Sequence, residues 1–236
     1  MSVPTKIGAF FDLDGTVVSP PSLEWRFVGY LLARDLLGTR DVARWLGTFA
    51  AKALIDPRSA TIENKKYLAA LPESLATDWE QSFANRSPFY PKALEQMNWH
   101  WSEGHRVFLI GGTLDFLARA AARQLSGPIE VCATQLEVAN GRWTGNLCGP
   151  HMSGQEKACA IRNLAARFGL SLWDSYAYGN SISDLPMLDS VGRRTAVNPP
   201  ARLRHIARTE GWPAIQWTML PAPISSQTRQ LTARAR

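Results

Sequence analysis

Short apolar runs that end in polar residues or glycine recur along the chain. They lie at residues 7–11, 106–110, 129–133, 175–178 and 195–197. Helical patterns separate several of these runs, which is typical of an α/β domain with a largely parallel sheet. Because such sheets bind ligands beyond the carboxyl ends of their strands, we expect the chemistry near Asp12, Gly111 and Asn180.

The stretch between the first and second runs is long and carries only helical patterns. Apolar residues recur at helical spacing over residues 27–36, 42–53, 75–83 and 94–97. We therefore predict a helical cap domain, residues 17–103, inserted into an α/β core domain formed by residues 1–16 and 104–220. Five of the nine tryptophans lie in the insert, and we expect most of them to pack in its interior. Residues 135–146, with their Asn140–Gly141 pair, predict a β-hairpin.

Composition points to a globular chain. Of the 236 residues, 45% are apolar and 19% are charged, which is an ordinary balance for a folded protein. The three cysteines lack metal-ligand spacing, as expected in a reducing compartment. No apolar run approaches bilayer length, and no basic segment precedes an apolar one at the N-terminus. We expect a cytoplasmic protein without stable membrane insertion.

The net charge of +6 is not concentrated on a predicted element. Three of the excess positive charges belong to Arg229, Arg234 and Arg236, in a segment (221–236) that we expect to be a disordered basic tail. Residues 17–103 hold ten Lys and Arg residues against ten Asp and Glu residues. We therefore expect no nucleic-acid partner, although the overall positive charge favours an anionic substrate. The oligomeric state stays open.

Two aspartates stand one residue apart where the first apolar run ends, in the order Phe10-Phe11-Asp12-Leu13-Asp14-Gly15-Thr16. Alternation along an extended strand places Asp12 and Asp14 on the same side. Two buried like charges repel each other, so this arrangement requires a nearby cation or a proton on one carboxylate. The structural alternative is a strand that ends in an Asp–Gly turn.

Two later segments suit an anionic ligand. Residues 107–113 predict a strand that ends in Gly111, Gly112 and Thr113 before a helix begins, and backbone amides at such a junction bind anions. Glycines also occur there for steric reasons alone. Further on, Ser153 and a glutamate three residues later have the spacing of a capping box, which places Lys157 in the first turn of a helix. A lysine in that position is usually a solvated surface group.

A polar loop follows the run at 175–178. Within it, Asn180 and Asp184 supply hard oxygen atoms of the kind that Mg²⁺ prefers. The same two residues would also fit a polar loop that caps a helix.

The order of these four motifs resembles the haloacid dehalogenase superfamily of phosphohydrolases. The hairpin, the lysine helix and the final loop resemble its phosphoserine-phosphatase-like branch, IB, and the insert matches the helical C1 cap of that branch. The resemblance spans residues 7–217. It implies a Rossmann-like, mostly parallel sheet with an inserted helical bundle. It also implies a Mg²⁺-dependent phosphatase that hydrolyses a small-molecule phosphomonoester.

The resemblance further implies roles for individual residues. Asp12 would be the nucleophile that forms an aspartyl-phosphate, and Asp14 would act as general acid and then general base. Thr16 would hold Asp14 in place. Lys157 would neutralise the phosphoryl oxygens and bridge to Asp12.

The implied metal and phosphate ligands include two departures from the family pattern. Mg²⁺ would bind the Asp12 carboxylate, the Asp14 backbone carbonyl and the loop of Asn180 and Asp184, although the family usually has Asp where Asn180 stands. The phosphate would bind Gly111, Gly112 and Thr113, although the family usually has Ser or Thr where Gly111 stands. The alternatives are a weakened or inactive protein that binds a phosphorylated ligand, and a phosphotransferase with the same aspartyl chemistry.

The substrate is not fixed by these motifs. Arg26, Arg58 and Lys65 in the insert are candidate contacts for an anionic group, or else they lie on solvated helix faces. The tryptophans of the insert suggest a substrate with an apolar part, such as a lipid phosphate.

Overall fold

A computed structural model describes residues 5–38, 65–84 and 88–219, together with Ala43 and Gly47. Three features predicted above lie outside the described residues: most of the helix at 42–53, Arg58, and the tail at 221–236. None of the helices in the described ranges is long and apolar enough to cross a membrane.

A six-stranded parallel sheet forms the core. Its order is β3-β2-β1-β6-β7-β8, and every neighbouring pair runs parallel. The strands are β1 (Gly8–Phe11), β2 (Arg106–Leu114), β3 (Ile129–Thr134), β6 (Tyr176–Gly179), β7 (Arg193–Val197) and β8 (Ala214–Ile215). The predicted α/β class is confirmed, and each of the five predicted runs forms a strand. The two-residue strand β8 is too short to show a pattern.

Helices cover both faces of this sheet. They are α1 (Leu23–Leu32), α2 (Leu75–Phe83), α3 (Pro91–Ser102), α4 (Asp115–Ala122), α5 (Gln155–Phe168), α6 (Leu185–Leu188) and α7 (Ala201–Thr209). Adjacent side chains of β1 enter opposite cores: Phe10 stacks on Phe108 at 5.0 Å, and Phe11 stacks on Tyr178 at 4.3 Å. Because both faces of the strand are buried, it reads as a continuous apolar run.

Helix α3 belongs with the sheet. It packs against β2, and the ring of its His100 makes a hydrogen bond of 2.9 Å to the hydroxyl group of Tyr178 in β6. A domain boundary between residues 103 and 104 would separate this helix from the strands that it covers. We therefore propose that the core resumes near Pro88. Residues 17–38 and 65–84 are then the described part of the cap.

Only some tryptophans of the insert are buried. Trp79 is 3% exposed and packs among Phe27, Tyr30 and Phe83, as predicted. Trp25 is 65% exposed and Trp99 is 40% exposed, so these two are exceptions to the expected packing, and Trp45 lies outside the described residues.

The predicted hairpin is confirmed as β4 (Leu136–Ala139) and β5 (Arg142–Leu147), with Asn140 and Gly141 at positive φ in the turn. It forms a separate two-stranded sheet. The insert lies against it, because Ala70 N–H donates to the Trp143 carbonyl at 2.8 Å and Trp143 N–H donates to the Leu71 carbonyl at 3.0 Å. The turn of the hairpin also contacts the insert, since Glu73 N–H donates to the Gly141 carbonyl at 3.0 Å.

Candidate active site

Asp12 follows directly after β1, the strand that lies between β2 and β6 in the sheet. Its backbone N–H donates to the Tyr178 carbonyl at 2.9 Å, so the neighbouring strand fixes its position. The side chain is buried, with one oxygen 2.6 Å from Lys157 Nζ and the other 2.9 Å from Thr16 Oγ1. The predicted nucleophile is therefore held at both carboxylate oxygens.

Lys157 is not a solvated group. It is the third residue of α5 and only 2% exposed, and its Nζ also lies 2.5 Å from Asp184 Oδ1. The capping box predicted at Ser153 is wrong, because the N-cap of α5 is Gly154 and no side chain caps this helix. The N-terminus of α5 is instead tied to the polar loop, since Gly154 N–H donates to the Ser183 carbonyl at 3.1 Å.

Asp184 organises the polar loop. Its Oδ2 accepts hydrogen bonds from the backbone N–H groups of Asn180 (3.0 Å) and Ser181 (2.9 Å) and from the Ser181 hydroxyl (2.8 Å). Its Oδ1 faces Lys157, so both carboxylate oxygens already have partners. Asp184 therefore fixes the backbone of the loop that carries Asn180, and direct coordination of a metal by Asp184 stays a prediction. The loop also contains the structure's capping box, formed by Ser181 and Asp184.

Asn180 lies against the aspartate turn. A Cβ on Gly15 would be 1.9 Å from Asn180 Nδ2, and the φ angle of Gly15 is +89°. Only glycine both lacks the Cβ that would clash with Asn180 and adopts this φ angle without strain. The side-chain amide of Asn180 therefore packs directly on the turn between Asp12 and Thr16, where the predicted metal ligands are expected to meet.

Each of the two threonines donates its hydroxyl group to one of the aspartates. Thr16 was expected to hold Asp14, but its hydroxyl donates to Asp12. Asp14 is held instead by Thr113, whose Oγ1 donates to Asp14 Oδ2 at 2.6 Å, and by the backbone N–H of Leu23, which donates to Oδ1 at 2.8 Å. Thr113 was expected to contact the phosphate, and in this structure its hydroxyl is bound to Asp14.

Gly111 and Gly112 lie inside β2, because the strand continues to Leu114 before α4 begins. The apolar run at 106–110 had predicted that the strand ends before Gly111. The pairing of β2 with β3 shifts register between Gly111 and Leu114, so the strand is irregular at Gly112 and Thr113. This irregular segment, at the carboxyl end of β2, borders Asp12.

Burial sets the electrostatics of the site. Burial, with the negative charge of Asp184, raises the pKa of Asp12 from 3.8 to about 7, and burial also raises the pKa of Asp14. Burial disfavours the charged form of Lys157, yet the carboxylates of Asp12 and Asp184 raise its pKa above the ordinary 10.5. The cluster of Asp12, Asp14, Asp184 and Lys157 thus holds three acidic groups and one ammonium group.

A cation would offset this excess of acidic groups. Among the described residues, no three His, Cys, Asp or Glu side chains form a complete metal site by themselves. Mg²⁺ does not require one, since it is commonly bound by one or two carboxylates, substrate phosphate and water. The Asp12 carboxylate, the Asn180 amide oxygen and the Asp14 backbone carbonyl fit that requirement.

These residues open into one cavity of about 430 Å³. Lys65, one of the candidate contacts for an anionic group, lines this cavity. So do several residues for which we predicted no such role: Ser22, Glu24, His151, Ser153, Ser181 and Ser183. Lys65 is 5% exposed and bound to both oxygens of Glu24 at 2.6 and 2.7 Å, so a solvated position is wrong for it. Arg26 is elsewhere, bonded to the carbonyls of Ser19, Pro20 and Pro21. The contact of Lys65 with Glu24 joins residues 41 positions apart, so the sequence carries no local signal of it.

The chain is thus an α/β protein with two aspartates and a buried lysine at the carboxyl edge of its parallel sheet. A family model described as haloacid dehalogenase-like hydrolase matches residues 9–189. The chain belongs to this family, and the predicted resemblance is confirmed.

Individual relatives agree with this assignment. Phosphoserine phosphatase SerB1 of Mycobacterium tuberculosis is 36% identical over 218 residues, covering 86% of this chain and 68% of the relative. The probable phosphatase Rv3661 of the same organism is 30% identical over 235 residues, covering 95% and 79%. A crystal structure of a protein of unknown function from Bordetella pertussis aligns with a TM-score of 0.75 and 27% identity, covering 89% of this chain and 98% of that one.

Proposed function

We propose that the protein is a Mg²⁺-dependent phosphatase that hydrolyses a phosphomonoester through an aspartyl-phosphate on Asp12. One observation carries the proposal: the Asp12 carboxylate, the Asp14 carboxylate and the Lys157 ammonium group line one cavity at the carboxyl edge of the sheet. The names of the phosphatase relatives support the same reaction class.

In the first half-reaction, a carboxylate oxygen of Asp12 attacks phosphorus and the bond from phosphorus to the leaving oxygen breaks. Asp14, protonated at the start, gives its proton to the leaving oxygen, and the alcohol departs. The raised pKa of Asp14 favours the protonated form that this step needs. Lys157 keeps the attacking carboxylate oriented and offsets the charge of the phosphoryl group.

In the second half-reaction, water attacks phosphorus while Asp14 accepts one of its protons. The bond between the Asp12 oxygen and phosphorus then breaks, which releases inorganic phosphate and restores the carboxylate. Thr113 and the Leu23 amide hold Asp14 in position for both proton transfers. When bound, Mg²⁺ would supply positive charge against the repulsion between the Asp12 carboxylate and the phosphate.

The cavity favours a compact, polar substrate. Its lining is dominated by charged and hydroxyl groups, and none of the described tryptophans contributes to it. The sequence-based suggestion of a lipid phosphate therefore gains no support from the described residues. The ion pair of buried Lys65 with partly exposed Glu24 instead offers polar groups to the part of the substrate beyond the phosphate.

The test is hydrolysis of an aryl phosphate by the purified chain, with and without Mg²⁺. We expect release of inorganic phosphate that requires the ion and is lost in Asp12→Asn. Asp78→Asn, an exposed change on α2, is the matched control and should keep full activity. Turnover that is unaffected by Asp12→Asn would refute the proposal. Phosphate that appears on an added alcohol, and not in water, would show a phosphotransferase.

Gly111 and Asn180 favour a second candidate, a weakened or inactive protein that binds a phosphorylated ligand. Such a protein would be stabilised against heat by inorganic phosphate but would show no turnover. Restoring the family residues with Gly111→Ser and Asn180→Asp would then produce no gain. A large gain in hydrolysis would identify a weakened catalyst.

A further inference from the structure

We propose that His151 binds the phosphoryl group through an imidazole N–H, in place of the hydroxyl group that the chain lacks at Gly111. This inference rests on the proposed phosphatase function and assigns a phosphoryl-binding residue to the same cavity. The observation behind it is the position of the imidazole ring, which occupies the space of a side chain at position 112.

Because Gly112 has no side chain, it leaves the space that the imidazole ring of His151 occupies. A Cβ built on Gly112 would lie 2.4 Å from His151 Cε1 and 2.7 Å from Nε2. Both distances are far shorter than any real carbon contact, so no other residue fits at position 112 while the ring stays where it is. Gly112, which we interpreted as the source of an anion-binding amide, therefore also contacts the imidazole ring of His151.

Gly111 is different, because nothing forces a glycine there. A Cβ on Gly111 would lie 3.6 Å from Asp12 Oδ1 and 3.6 Å from Leu13 Cβ, which are ordinary contacts. A serine would therefore fit beside the nucleophile. The missing hydroxyl group is not a consequence of packing, and another group has room to act in its place.

Neither nearby threonine replaces that hydroxyl group in this structure. The hydroxyl of Thr16 donates to Asp12, and the hydroxyl of Thr113 donates to Asp14. His151 lines the same cavity as these two aspartates and Lys157, and its ring lies against the residue that follows Gly111. The imidazole is thus a side-chain donor at the carboxyl end of β2.

The segment that carries His151 is anchored at the same edge of the sheet. Met152 N–H donates to Thr134 Oγ1 at the end of β3 (3.1 Å), and Ser153 N–H donates to the His151 carbonyl (2.8 Å). Because the peptide group that follows His151 is bound at both its carbonyl and its N–H, the backbone that carries the ring is positioned before a substrate arrives. A neutral imidazole offers one N–H donor and an imidazolium offers two, and either form can bind a phosphoryl oxygen.

The test is a double-mutant cycle between His151→Ala and Gly111→Ser, measured with an aryl phosphate and Mg²⁺. We expect His151→Ala to lower kcat/KM by about a hundredfold, the loss typical of one donor to a developing charge. Gly111→Ser should restore about tenfold or more in the His151→Ala background, because the serine replaces the lost donor, and its effect should be smaller when His151 is present. Purely additive effects would overturn the proposal.

Gly112→Ala tests the same contact from the other side. The new methyl group must displace the ring, so Gly112→Ala should lose as much activity as His151→Ala. Added to His151→Ala, it should cause little further loss, because the ring is already absent. His205→Ala, an exposed histidine of α7, is the control and should leave activity unchanged.

Inhibition by inorganic phosphate separates phosphoryl binding from contact with the leaving group. We expect the inhibition constant for phosphate to rise in His151→Ala and to recover partly in His151→Asn, which keeps an N–H donor. An unchanged constant would show that the ring does not bind the phosphoryl group. If the wild type hydrolyses nothing, the proposed function fails, and phosphate-induced stabilisation of wild type and His151→Ala against heat still decides the role of His151.

Discussion

Lys157→Met removes the ammonium group that joins Asp12 to Asp184. Since Lys157 Nζ is 2.6 Å from one carboxylate and 2.5 Å from the other, the two acidic oxygens lie within about 5 Å of each other. At an effective dielectric constant of about 20, two charges at that separation repel by roughly 3 kcal/mol. Removing one partner of a buried ion pair costs about 3–5 kcal/mol in other proteins, in agreement with this figure.

The loss should depend on pH in a defined direction. In the folded variant, protonation of one carboxylate relieves the repulsion. Above the ordinary carboxyl pKa, this protonation costs about 1.4 kcal/mol for each pH unit, which amounts to about 2 kcal/mol at pH 5.5. The pKa of the folded carboxyl is raised above its unfolded value, so the variant gains stability as the pH falls. We therefore expect a loss of about 3–5 kcal/mol at pH 8 and about 2 kcal/mol or less at pH 5.5.

Urea unfolding without Mg²⁺, at both pH values, measures these losses. Lys92→Met is the matched control, because Lys92 forms an ion pair of the same length with Glu95 while both side chains are at least half exposed. Exposed pairs contribute about 0–1 kcal/mol, so this variant should lose little. A loss for Lys157→Met that is the same at pH 5.5 and pH 8, or no larger than that of the control, would refute the reasoning.

Three further predictions concern the same structure. Thr113→Val removes the hydroxyl group that donates to Asp14, so it should lower kcat about tenfold or more and change the melting temperature little. Comparison of the rate and the melting temperature of this variant with those of the wild type tests this. Burial lowers the pKa of His100 from 6.5 to about 3, so unfolding should take up a proton, and the stability of the folded state should fall as the pH decreases below 6.5. In thermal unfolding, His100→Gln should make the melting temperature less dependent on pH in this range. An unchanged dependence would contradict the prediction. Because the pKa of Asp12 is raised to about 7 and a metal ligand must be ionised, Mg²⁺ should raise the melting temperature more at pH 8 than at pH 6.

The local pattern of apolar and polar residues was sufficient to predict the strands of the sheet and the positions of its main acidic residues. The apolar run before Asp12 is unbroken because Phe10 and Phe11 enter two different cores, and this double burial is visible in the sequence. The positions of Asp12 and Asn180 after strands β1 and β6 followed from the rule that parallel strands end at one edge.

The hydrogen bonds inside the site did not follow from that pattern. Thr113 reaches Asp14 because β2 continues past Gly111 with a register shift, and no residue in the sequence marks such an irregularity. Lys65 and Glu24 are 41 residues apart and meet only in the folded chain. Gly112 was the one available signal for His151, since a second glycine beside Gly111 indicates a close approach, but not the identity of the group that approaches.

The backbone pairing between the insert and the hairpin bears on how the chain folds. Residues 70–73 exchange hydrogen bonds with residues 141–143, about seventy positions later. During synthesis, these amides and carbonyls have no protein partner until the hairpin has emerged. The insert is contiguous in sequence, but part of its native backbone pairing is made with a later segment of the chain. A fragment that ends before the hairpin lacks this pairing, and the native contacts of the cap include pairs far apart in sequence, which is a feature of slowly folding chains.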